Sequence, residues 1–149
     1  MKPLLLFLTA TLSACSGEKT AQTAADSTTV TYEQVAAESA AVINQLRNAA
    51  TEINRSCPVQ VDAGTRLDSA QVLSDTELQY NYSLISATRE EFDVAKLEAI
   101  TKPMLIDAVK TNTALADLRD HSITIVYNYR DKDGQFLLKI PVTPSDYTK

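Results

Sequence analysis

The feature that most limits the fold lies at the C-terminus. Ile123, Ile125, Tyr127 and Tyr129 alternate with Ser122, Thr124, Val126 and Asn128, and Phe136, Leu138, Ile140 and Val142 repeat the period beyond Asp131-Lys132-Asp133-Gly134. A period of two puts alternate side chains on opposite faces of a strand, and an Asp-Gly turn between two such runs predicts a β-hairpin. Pro141 has no N–H to give to a ladder, so the last strand is expected at a sheet edge.

A second hairpin is read upstream. Strand pattern runs from about Thr65 to Leu73. After a turn at Ser74-Asp75-Thr76-Glu77, Leu78, Tyr80, Tyr82 and Leu84 alternate with Gln79, Asn81 and Ser83. Each strand shows one apolar face, the pattern of an antiparallel sheet with one side wet. Tyr80-Asn81-Tyr82 and Tyr127-Asn128-Tyr129 occur once in each hairpin, which suggests neighbouring central strands.

Helical periods fill the gaps. Thr31 and Gln34 have capping-box spacing. Val35, Ser39, Val42, Leu46, Ala49 and Ile53 follow at intervals of four and three, with Ile43 and Ala50 beside them. Asn54-Arg55-Ser56-Cys57-Pro58 ends this helix. Val59-Gln60-Val61-Asp62 is a short extended piece leading to a turn at Ala63-Gly64. Thr88 and Glu91 repeat the capping-box spacing before Phe92, Leu97 and Ile100. Thr101-Lys102-Pro103 predicts a kink or restart, and Met104, Leu105, Ala108, Val109, Leu115 and Leu118 carry the pattern to about Arg119. The expected fold is α+β: an antiparallel-rich sheet of four strands in two hairpins, with the N-terminal helix and the long helical segment packed on one face.

The first residues read as an address rather than as structure. Lys2 is followed by Leu4-Leu5-Leu6-Phe7-Leu8 and a weaker apolar stretch to Leu12. This is too short to span a bilayer core of roughly 30 Å. Leu12-Ser13-Ala14-Cys15 resembles the lipobox of bacterial lipoproteins. The resemblance implies cleavage before Cys15, a diacylglyceryl group on its thiol, and a mature chain held on a membrane by acyl chains. Ser16, where inner-membrane lipoproteins of Gram-negative bacteria carry aspartate, implies the outer membrane. Residues 16–29 contain no large apolar side chain and read as a flexible tether. The division expected is therefore signal peptide 1–14, lipidated cysteine and tether 15–30, and one α+β domain over 31–149.

Charge and residue counts exclude several functions. With Lys2 removed, 13 basic residues face 19 acidic ones, a net charge of −6, so a phosphate backbone is repelled and nucleic acid is not an expected partner. Lipidation of Cys15 leaves Cys57 as the one free thiol, semi-buried or open to an intermolecular bond. His121 is the single histidine, set beside Asp120 at a helix–strand junction where an imidazole caps carbonyls or faces water. One histidine and one free cysteine do not make a zinc site, and Gly17, Gly64 and Gly134 leave no phosphate-cradling loop. Asp131-Lys132-Asp133-Gly134 has only part of a calcium loop and reads as a turn. Asp62 and Asp68 flank Arg66 and read as a turn carboxylate and surface pairs rather than an acid–base couple. No catalytic residue, metal or cofactor is expected.

What remains is binding. Gln79, Asn81, Ser83, Thr124, Asn128 and Arg130 are expected on the polar face of the sheet, as a flat hydrogen-bonding surface, and an edge strand could accept a partner's strand. Together with Cys57-Pro58 and Thr65-Arg66-Leu67, the Tyr-x-Tyr pairs resemble small secreted bacterial domains with no assigned activity, from which no site residue is carried over. The functional expectation is a membrane-anchored, non-catalytic module that binds another envelope protein. The alternatives are a periplasmic inhibitor of a cell-wall hydrolase or protease, for which the Asp62–Asp68 turn is the candidate loop, a small-ligand-binding module, and a redox role for Cys57.

Overall fold

The computed structural model describes residues 31–148. The expected signal peptide, the expected lipidation site Cys15 and the expected tether lie outside the described residues.

The first helix, α1, spans Tyr32–Ser56 and opens as expected, with Thr31 N–H donating to Gln34 Oε1 at 3.1 Å. Only the second half of its apolar stripe is used. Leu46 and Ala50 are buried and Val42 and Ile53 pack beside them, whereas residues 31–41 are exposed throughout, Val35 included. Length explains this. Twenty-five residues make a helix of about 37 Å, longer than strands of 7–10 residues can cover.

A cis Cys57–Pro58 bond leads into β1, Val59–Gln60, which pairs with Leu67 and Arg66 of β2, Thr65–Ser74. The short extended piece is thus a fifth strand, too short to show alternation. β2 and β3, Glu77–Leu84, form the expected antiparallel hairpin, with Leu67 opposite Tyr82 and Val72 opposite Leu78.

The Thr88–Glu91 box caps a single 3-10 turn, Arg89–Glu91. The long helix α2 begins later, at Val94–Thr111, where the Asp93 carboxylate accepts from Lys96 N–H at 3.1 Å. It runs through Pro103 without restarting. Its expected core contacts also shift: Val109 is fully buried, but Ile100 and Met104 face outward.

Helix α3, Ala116–Asp120, ends with Ser122 at φ 55°, Ile123 N–H donating to Leu118 O and Ser122 N–H to Arg119 O. This is the left-handed C-terminal motif usually built on glycine. Strands β4, Thr124–Arg130, and β5, Phe136–Val142, close the sheet. Their turn has Asp131 and Gln135 paired and Gly134 at φ 80°. A last short helix, α4 (Pro144–Tyr147), was not expected, although Thr143-Pro144-Ser145-Asp146 has an N-cap, a first-turn proline and a third-position acid. It places the buried Tyr147 hydroxyl 2.8 Å from Ile123 O, to which it donates.

The sheet order is β1-β2-β3-β4-β5, so β5 and its Pro141 do lie at an edge. The sheet is mixed, not all antiparallel, because β3 and β4 run parallel. Residues 85–123, with α2 and α3, supply the long crossover that a parallel pair needs. The Tyr-Asn-Tyr echo is in register: Tyr80 faces Tyr127, Asn81 faces Asn128 and Tyr82 faces Tyr129. One sheet face carries the core, where Leu78, Ile123, Ile125, Ile140 and Val142 are wholly buried and join Leu46 and Ala50 of α1 and Val109 of α2. Among the described residues, no helix is long and apolar enough to cross a membrane.

Candidate functional site

The polar face brings the six residues proposed from sequence together. Asn81 lies opposite Asn128 and Ser83 opposite Arg130, while Gln79 and Thr124 occupy neighbouring rungs on the same side. Three of them, Gln79, Asn81 and Asn128, engage one another. Gln79 Nε2 and Asn128 Nδ2 both donate to Asn81 Oδ1, at 2.8 and 3.0 Å, and Asn81 Nδ2 donates to Ser69 Oγ at 3.0 Å. Ser83 Oγ donates to Asp68 Oδ2, Asp68 Oδ1 accepts from Arg66 Nε, and Arg130 Nη1 donates to Gly134 O at 2.8 Å. Gln79, Ser83 and Asn128 are buried, Thr124 is half-buried and Arg130 is exposed. The centre of this face is therefore not the wet surface that alternation predicts. Each buried residue has a cross-strand neighbour on both sides, Gln71 and Val126 flanking Gln79, Asn81 and Lys139 flanking Asn128.

The other residues singled out have local roles. Asp62 Oδ1 accepts from Gly64 N–H at 2.8 Å, and this bond first holds its carboxyl below the ordinary value. Asp68 is engaged with Arg66 and Ser83, and Val61, Asp62, Ala63 and Arg66 of the Asp62–Asp68 turn region are exposed. Asp131 is fully buried in the β4–β5 turn. Burial pushes its pKa up, but N–H groups of Gln135, Arg89 and Asp133 outweigh it and leave the carboxyl below its usual value. His121 is exposed, with Nδ1 2.8 Å from Asp117 O. Cys57 is half-buried, and burial, with the Asp68 carboxylate second, raises its thiol above the ordinary value. That favours the protonated, less nucleophilic form. Among the described residues, no group of three or more His, Cys, Asp or Glu side chains could hold a metal ion.

The opposite face carries a site that the sequence reading missed. Tyr80, Tyr82, Tyr127 and Tyr129 form a ladder across β3 and β4, with centroids 5.3 Å apart for Tyr82–Tyr129 and 5.9 Å for Tyr80–Tyr127. Burial pushes Tyr80 up to about 12 and raises Tyr127 and Tyr129 further still. At the open end of the ladder, Tyr82, Tyr129 and Leu138 floor a groove of about 370 Å³. Leu97, Met104 and Leu105 of α2 form one wall, and Val61, Asp62 and Thr65 form the opposite rim. Its lip is apolar and open: Met104 is 66 % exposed and Val61 59 %, with Ile100 nearby on α2 at 56 %. The sequence signal was present, since Leu97, Ile100, Thr101, Met104 and Ala108 share one helical face. Periodicity alone does not tell a core stripe from an open one.

Fold and groove define the class: a small α+β domain with one covered sheet face and an apolar cleft between that face and its longest crossover helix. The chain belongs to the family described as a domain of unknown function, DUF8479, which it matches over residues 41–138. That stretch starts where α1 reaches the sheet and ends in β5. Comparison with curated protein sequences finds no match. Among solved structures, the fold is shared with PA3611 of Pseudomonas aeruginosa, described as a secreted protein (TM-score 0.63, 15 % identity, 73 % of this chain and 95 % of that one). It is shared as well with two pilotins of type II secretion systems. EpsS of Vibrio vulnificus gives a TM-score of 0.59 at 9 % identity, covering 74 % of this chain and 96 % of that one. AspS of Vibrio cholerae gives 0.60 at 12 %, covering 75 % and 97 %.

Proposed function

We propose that this protein is a bacterial envelope lipoprotein, anchored through Cys15 and the tether that follows it, whose domain binds another envelope protein during assembly. The binding site is the groove between α2 and the tyrosine face. The observation that carries this reading is the open apolar lip, where Met104 and Val61 are each more than half exposed at a preformed cleft and Ile100, exposed on α2, lies one turn from Met104. Apolar surface of this kind gains free energy when a partner covers it. Two pilotins of this fold support a role in assembly, and the absent catalytic constellation in the sequence supports a non-catalytic one. Ser16 supports an outer-membrane destination.

A crosslink and pull-down of the lipidated protein in cells tests this, and one dominant envelope partner is expected. The groove's volume also suits a small apolar ligand, since such pockets start near about 300 Å³. Copurification of a small molecule with no protein adduct under several crosslinkers would favour that second reading. The anchor has its own test. Cys15→Ala is expected to leave an uncut precursor without acylated mass, and a processed, lipid-free wild-type product would contradict it.

A further inference from the structure

Both edges of the sheet carry devices that discourage an added strand. On β5 these are the exposed Lys139, Pro141 without an N–H, a bulge beside Tyr129 and Arg130, and Arg89, whose Nη1 donates to Phe136 O at 2.6 Å. Lysine, proline and bulges are familiar protections of an edge strand. The other edge is exposed in a different way. β1 covers only Arg66 and Leu67 of the ten-residue β2. Beyond it, Ser69-Ala70-Gln71-Val72-Leu73-Ser74 is uncharged and free of proline and glycine, with a register shift only at its far end, between Val72 and Ser74. An edge run without charge or proline lacks the side chains that most often keep another strand away.

One side chain occupies the middle of this run. Asn54, in the last turn of α1, donates from Nδ2 to Ala70 O at 2.8 Å and accepts from Ala70 N–H at its Oδ1 at 2.7 Å. A carboxamide offers the same donor and acceptor as a peptide unit, so this contact reproduces one rung of a strand ladder. Ala70 is 3 % exposed, and its backbone groups need that partner.

We propose that Asn54 is an edge guard, which keeps β2 from pairing with β2 of a second copy of this chain. The occupant follows from symmetry, because an antiparallel β2–β2 pair presents the same uncharged run from both copies across a two-fold axis. The guard would matter most for chains held together on one membrane, where local concentration is high.

The test uses the soluble mature chain with Cys15 replaced. Asn54→Ala is expected to dimerise with rising concentration in sedimentation experiments, and the dimer to gain hydrogen-exchange protection at Val72–Ser74. Asn54→Asp, which puts a charge on the edge, is expected to remain monomeric, as is the parent. Asn54→Ala that stays monomeric wherever the parent is soluble, or a dimer protected elsewhere, overturns the proposal. If Asn54→Ala does not fold, exchange in the parent decides: slow exchange of the Ala70 N–H supports the guard, and fast exchange overturns it.

Discussion

The two faces of this sheet are built from the same strands and behave differently. On the tyrosine face, alternate residues from β3 and β4 bury their rings against helices and leave an apolar cleft where α2 ends its cover. On the other face, the intervening amides and hydroxyls bond to one another across the rungs. The lesson concerns donors and acceptors. A row of Gln, Asn and Ser looks like a recognition surface in sequence, yet Asn81 alone engages Gln79, Asn128 and Ser69, leaving fewer groups for a partner. The groove has the opposite character, since its apolar groups have no mutual partner to satisfy and gain only from being covered.

The largest expected contrast is in stability. Ile140→Ala, at a wholly buried position on the tyrosine face, should cost about 2–5 kcal/mol in denaturant unfolding, through lost burial and a cavity. A comparable truncation of exposed Lys139, on the opposite side of the same strand, should be close to neutral. Equal losses at the two positions would erase the distinction between the faces.

Alkaline pH should act chiefly on the tyrosine face. Tyr80, Tyr127 and Tyr129 have raised folded pKa values through burial, so the folded state keeps protons that the unfolded chain gives up. Their contribution is intact below the unfolded tyrosine value of about 10 and is lost as pH climbs through the folded values. Unfolding free energy should therefore fall as pH is raised from about 10 toward 12, and phenolate absorbance should show delayed titration. Tyrosines that titrate together near their ordinary value would contradict the buried ladder.

Asn81→Ala should cost less, about 1–3 kcal/mol, because it removes the shared acceptor of two part-buried amides. A loss within experimental error would mean that water replaces Asn81 freely, and that the polar face is more available for binding than its network suggests. Smallest of all, Ser122→Gly should stabilise the protein by up to about 1 kcal/mol, since a left-handed residue with a side chain carries a strain that glycine relieves. It leaves both faces untouched and calibrates the other measurements.

How much of this was legible depended on whether the signal was local. The hairpin around Gly134, the α1 cap at Thr31 and the edge position of Pro141 are set by neighbouring residues, and all were readable. The register of Tyr80-Asn81-Tyr82 against Tyr127-Asn128-Tyr129 was hinted at by the echo, but its parallel sense was not, because alternation is the same in either direction. β1 is too short to have a period, and Thr88 caps a turn of the wrong helix type for the pattern that follows. The groove was hidden for a different reason: Met104 and Ile100 share a helical face with the half-buried Leu97, and only packing decides where cover ends. Asn54 had no signal, since a helix-terminal asparagine does not reveal which distant backbone it meets.

The central claim is that a protein partner docks on the groove and not on the amide face. It is tested most directly by placing a photo-crosslinking residue at Met104 in one full-length chain and at Lys139 in another, then irradiating living cells. A dominant envelope-protein adduct from position 104 and none from position 139 is the expected result. An adduct from position 139 alone, or the same adduct from both, would contradict it.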